Sequence, residues 1–205
     1  MMKRLAVISM VMTLLSNAAS AMTHSASEGF TFGAEWGYVG IFYSGYHYNF
    51  FAPEGYRVDP RGHEFMYSIN GEGYLHAGYN FSDKSELSMY LGFSAIKDYH
   101  HIIPISIRYT TFYKQNSKGD RWFSLVDVGS GFSIKKRPEE LISGKIGGGY
   151  RISLSKDTKL DFIISLRSVL THPDVIYYGT EIPADKVNRN NAYVSAISFS
   201  MALTL

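Results

Sequence analysis

Beyond residue 29 the apolar side chains of this chain recur at every second position, and nowhere do they gather into a run long enough to cross a membrane as a helix. Successive side chains of a strand point to opposite faces, so period two predicts strands with one apolar face each. Eight strands are expected, over Phe30–Phe51, Glu64–Phe81, Glu86–Ile96, Pro104–Tyr113, Trp122–Ile134, Gly144–Leu154, Leu160–Thr171 and Asn191–Leu205. The last two show the pattern plainly. Leu160, Phe162, Ile164 and Leu166 alternate with Asp161, Ile163, Ser165 and Arg167. Ile197, Phe199, Met201, Leu203 and Leu205 alternate with Ala196, Ser198, Ser200, Ala202 and Thr204.

Which way the bulky face looks decides the fold. In a water-soluble barrel it lines the interior, around a ligand. In a membrane barrel it faces lipid. The face opposite the Leu, Ile, Phe and Met residues carries Gly, Ala, Ser and Thr with a few charges. Small residues suit the confined interior of an eight-stranded barrel. The bulky face is therefore expected outward. Connections read as short at 82–85, 114–121 and 155–159 and longer at 52–63, 97–103, 135–143 and 172–190, as in barrels with short periplasmic turns and longer external loops. The expected fold class is all-β, an eight-stranded antiparallel up-and-down transmembrane β-barrel. A spanning strand needs about 9–11 residues, so the first hairpin is expected to rise above the bilayer.

The start of the chain fits export. Lys3 and Arg4 precede an apolar run from Leu5 to Leu15, and Ala19-Ser20-Ala21 supplies small residues for cleavage. This is the pattern of a signal peptide, with about half the length a spanning helix needs. The expected organisation is a signal peptide at 1–21, a short segment at 22–29 and a barrel at 30–205. There is no cysteine, hence neither lipidation of a cysteine nor a disulfide. Without the leader the chain carries 18 basic and 18 acidic residues. A nucleic-acid partner would call for a basic surplus, and none is expected. Sixteen Tyr and thirteen Phe suit a membrane interface, where tyrosine keeps one end wet and the other apolar.

Eight charged residues fall on the small-residue face: Glu35, Glu72, Asp127 and Asp161, with Arg108, Lys145, Arg151 and Arg167. An ion in a narrow interior is costly unless paired. Equal numbers of each sign permit pairing, and the planar fork of arginine can meet two carboxylates. An ion-pair network plugging the barrel is the expectation. A polar pore selecting ions is the alternative.

These features together resemble the small outer-membrane β-barrel family, of the outer membrane protein A and outer membrane protein X type. The resemblance spans nearly the whole chain after the leader. It implies an outer-membrane location in a Gram-negative-type bacterium, and loops that bind partners or serve a structural role.

Some barrels of this class act on lipid A. The deacylase type carries His-x-Ser on a strand, and no histidine here is followed two positions later by serine. His172 and Ser168 would lie about 13 Å apart along a strand, too far for a dyad. His100 and His101, with His47 and His63, lack the carboxylate or cysteine spacing of a metal site. Gly147-Gly148-Gly149 sits within an alternating strand and opens no helix, so it reads as room for neighbours and not as a phosphate loop. No catalytic residue, metal or cofactor is expected. The aromatic stretch ending in Tyr46, Tyr48, Phe50 and Phe51 is the most suggestive surface. With Tyr177 and Tyr178 of the last loop it is a candidate platform for an extracellular or envelope protein or a glycan. The functional expectation is a non-enzymatic barrel with a plugged interior, lying in outer-membrane lipid. The alternatives are a narrow channel for small or apolar solutes and a lipid A-modifying hydrolase.

Overall fold

The structure is a computed structural model describing residues 29–96, 100–134 and 140–205. The expected signal peptide and nearly all of the expected segment before the barrel lie outside the described residues. So do parts of the connections at 97–103 and 135–143.

Eight long strands form the wall: β1 Gly29–Phe51, β2 Arg61–Ser82, β3 Ser85–Ile96, β4 His100–Phe112, β5 Arg121–Ser133, β6 Glu140–Ser153, β7 Lys159–Thr171 and β8 Val187–Thr204. Each pairs antiparallel with the next, and β8 pairs with β1 from Gly33↔Thr204 to Phe50↔Val187. That last pairing closes the sheet. Closure can be followed residue by residue. From Ala34 the pairing runs through Leu75, Leu91, Ile105, Ser130, Ile142, Leu170 and Tyr193, and returns to β1 at Gly45, eleven residues on. A stagger of that size in eight strands corresponds to a tilt of about 40°. Part of it is absorbed at Phe42, a bulge of β1 against β8.

The bulky face looks outward. Leu91, Ile164, Leu166, Phe199 and Met201 are exposed, while Arg151 and Arg167 are enclosed. On β7 the alternation of exposed and buried residues runs without a break from Asp161 to Leu170. An apolar band around a polar interior is the reverse of a water-soluble barrel, and it is the arrangement of a transmembrane one.

Two sequence expectations need correction. β4 begins at His100 and β6 at Glu140, so the second and third connections on the loop end are short. Only 52–60 and 172–186 are long, and both lie at the end opposite the turns at 83–84, 113–120 and 154–158. His100 and His101 accordingly belong to a strand and not to a loop.

Not all of the interior is polar. At the loop end Val39, Ile41, Ile102, Leu141, Val169, Val194 and Ala196 form an apolar layer across the bore, with Met66 packed against it. Toward the turn end Phe112, Phe123, Leu125, Ile163 and Ala202 form a second. A third cluster, Phe50, Val175 and Ile182, lies outside the bore and joins the first hairpin to the last loop.

Candidate functional site

The charged side chains in the bore meet in three groups, two between the apolar layers and one on the turn side of the second, against Phe112. In the central group the Arg108 guanidinium donates to Glu35 at 2.6 Å and to Asp127 at 3.1 Å. Ser200 donates to the same Glu35 at 2.9 Å, and the Tyr90 ring lies under Arg108 at 3.9 Å. Arg108 and Asp127 are cross-strand neighbours in β4 and β5. Glu35 reaches them across the bore from β1.

The group nearer the loop end centres on Glu72. Its carboxylate takes Lys145 at 3.1 Å, Arg167 at 3.3 Å and the Tyr74 hydroxyl at 2.9 Å. Arg167 also donates to Ser94 at 2.7 Å. This group is the least saturated: one Glu72 oxygen and two Arg167 nitrogens have no partner among the described residues.

The group nearer the turn end is built on Arg151. It makes two 2.7 Å bonds to Asp161 through the fork that arginine geometry permits. A third bond, at 3.4 Å, reaches Glu86. Glu86 also accepts from Ser88 at 2.6 Å and Thr31 at 3.2 Å. Arg151 and Arg121 lie on the Phe112 ring at 4.4 and 3.8 Å.

The structure thus places all eight residues singled out by sequence in the bore, each buried and each in an ion pair. Glu86 is the ninth buried charge among the described residues. It shares the even-numbered face with Ser88 and Tyr90, so parity along β3 could have found it. Its presence makes five acids against four bases, not four against four. Half-buried Arg121 brings a fifth cation to that end of the bore. The tyrosines Tyr74 and Tyr90, also inside, carry no charge that a count would flag.

The candidate external surface divides. Tyr46 and Tyr48 stack at 5.1 Å, and Phe51 is exposed. Phe50 is not a surface residue: at 2 % exposure it is the core of the cluster joining hairpin and loop. After the bulge at Phe42, Phe50 shares the β1 face of Tyr46 and Tyr48, and Tyr48 packs against the same cluster. Tyr177 meets Phe50 edge-on at 5.3 Å and shares a 3.0 Å hydrogen bond with Tyr56. Tyr178 stands 88 % exposed with φ 46°, a left-handed conformation that bulky residues seldom adopt. Gly179, at φ 80°, follows it. Beneath the platform Asp59 receives His47 and Arg61 at 2.9 Å each. Hydrogen bonds from Asn49, Arg61 and His47 hold its carboxyl well below the usual carboxylate range.

A closed sheet, an apolar exterior and an enclosed ionic core leave one architecture. The chain folds as a small eight-stranded transmembrane β-barrel. Two solved structures are similar to it in fold. Neisserial surface protein A (NspA) aligns with a TM-score of 0.45 and 11% identity, over 85% of this chain and 97% of that one. The outer membrane protein OprG from Pseudomonas aeruginosa aligns with a TM-score of 0.49 and 9% identity, over 89% and 97%. Neither likeness bears on function. No protein-family model matches the chain, and no curated protein is similar to it in sequence.

The remaining sequence candidates resolve structurally. Gly147 and Gly149 face inward, where a Cβ would run into the backbone of β7 at Ile164 and Phe162. The triplet is thus a place of close strand approach. The described residues hold no cluster of three metal-ligating side chains.

Proposed function

We propose that the barrel is a non-enzymatic outer-membrane protein, closed to solutes, that presents a rigid external platform to a protein or glycan outside the cell or in the envelope. The observation that carries this reading is the apolar seam of Phe50, Val175 and Ile182. It fixes the first hairpin to the last loop, with the Tyr56–Tyr177 hydrogen bond beside it. Loops held by their own core are ordered before a partner arrives, and the entropy of ordering them is not charged to binding. Exposed aromatic rings on such a support supply contact area at low conformational cost. Tyr178, kept exposed in an unfavourable backbone conformation, is the ring such a platform would use first.

The interior supports the other half of the reading. Two apolar layers and three ion-paired groups stand in the bore, and an eight-stranded barrel has little free width once its side chains are in place.

The test is adhesion of cells displaying the protein to host-matrix proteins and to a glycan array, compared with cells displaying Tyr178→Ser/Phe51→Ser. Both side chains are exposed, so the variant folds. Wild-type binding that the variant loses is expected. Equal binding by the two, or a changed lipid A mass on expression of the protein, overturns the reading.

A further inference from the structure

The lipid-facing wall is uneven. Across β1, β8, β7, β6 and β5 one row of outward residues reads Trp36, Met201, Phe162, Tyr150 and Trp122, each paired with the next. The adjacent row, one pleat toward the loop end, reads Tyr38, Phe199, Ile164, Gly148 and Ser124. Bulky side chains fill the first row throughout. The second row falls away to a glycine and a serine. The result is a groove of about 1200 Å³ bordered by Trp36, Tyr38, Tyr113, Trp122, Tyr150 and Phe162. That exceeds the roughly 300–1,000 Å³ of pockets for drug-sized ligands, and it suits a long chain better than a compact solute. Tyr113 closes its turn-end border by donating to Ser124 at 3.1 Å.

The two turns beside the low end of the groove, 113–120 and 154–158, carry Lys114, Lys118 and Lys156 against Asp120 and Asp157, and Lys159 flanks the second, its ammonium donating to the Ser155 and Lys156 carbonyls at 2.8 Å each. Asp120 is already engaged, accepting from the Ser153 backbone and from Asn116. The third turn, away from the groove, is balanced by Asp83 and Lys84. The cationic excess is therefore local to the groove, at the membrane surface where lipid phosphates lie.

We propose that this groove is a binding site for an anionic phospholipid of the periplasmic leaflet. One acyl chain lies in the notch over Gly148 and Ser124, and the phosphate rests among Lys114, Lys118 and Lys156. Hydrocarbon is the medium this wall faces, which settles the apolar part of the occupant. The lysines settle the sign of its head.

Both tryptophans of the chain border the groove, so their fluorescence reports it directly. The full chain is reconstituted in phosphatidylcholine vesicles containing a small fraction of brominated phosphatidylglycerol, or the same fraction of brominated phosphatidylcholine. Preferential binding makes the glycerol lipid the stronger quencher, with an apparent association constant about fivefold higher. The preference disappears in Lys114→Gln/Lys118→Gln/Lys156→Gln and persists in Lys84→Gln. Ser124→Leu fills the notch and weakens quenching by both lipids. A side chain at Gly148 is unsuitable for this purpose, since its Cβ would stand 2.8 Å from the Phe123 carbonyl. Coincident quenching curves for the two lipids in the wild type, or a preference untouched by the triple lysine change, overturn the proposal.

Discussion

Arg108 shows what a single side chain does in this bore. It stands between Glu35 and Asp127, and all three are almost wholly enclosed. Arg108→Met strips both carboxylates of their counter-ion at once. The expected loss is about 3–5 kcal/mol, read as a lowered urea midpoint of the barrel in micelles. Adding Glu35→Gln and Asp127→Asn removes the stranded charges, and most of the loss should return. The platform offers a residue of opposite sensitivity. Because the folded state holds the Asp59 carboxyl below its ordinary range, its contribution to stability is complete above a pH of about 4 and declines on further acidification, as protons bind the unfolded chain first. Asp59→Asn should abolish that part of the acid dependence, measured as amide exchange across 57–61 between pH 5 and 3. At this scale the sequence was informative wherever parity held. Residues such as Asp161 and Arg167 follow a strict two-residue beat on β7, and their place could be counted out. Glu86 shares its parity with Ser88 and Tyr90 and could be counted out the same way, but only from the residues that follow it, since it stands first in the expected strand.

For whole strands, legibility failed where pairing slips. The bulge at Phe42 changes which face of β1 looks inward, and a second shift after Asn49 puts an extra residue, Asn188, into β8; no composition rule marks either. The aromatic run to Phe51 therefore reads as continuous surface, while the structure turns Phe50 into a core residue. The loop-end connections were misjudged for a related reason. His100-His101 and Glu140-Leu141 look like loop residues to propensity, but their strands continue because neighbours supply hydrogen-bond partners to the top of the wall. The long hairpin and its seam can be separated from the barrel by experiment. Phe50→Ala should cost the external cluster about 3–5 kcal/mol and leave the wall intact. Proteolysis would then cut within 172–186, while the barrel keeps its shifted gel mobility before boiling.

The molecule as a whole carries its ions at the axis and its hydrocarbon outside. Planar-bilayer recording of the reconstituted protein should give no step conductance. Removing the loop-end group with Glu72→Ala/Lys145→Ala/Arg167→Ala should raise leakage only modestly, since the apolar layer of Val39, Ile41 and Ile102 still stands across the bore. The pairs inside join strands remote in the chain: Glu35 with Arg108 and with Ser200, Glu72 with Arg167. None of these bonds can form on a flat sheet: the two across the bore need the sheet rolled, and Glu35 meets Ser200 only when β8 has reached β1. A half-rolled intermediate keeps the neighbouring pairs Arg108–Asp127 and Arg151–Asp161 but leaves Glu35 and Glu72 without their cations, so the final seam acts as a latch. Insertion and closure must for this reason happen together, and once shut the cylinder has no low-energy route by which to unroll within the bilayer.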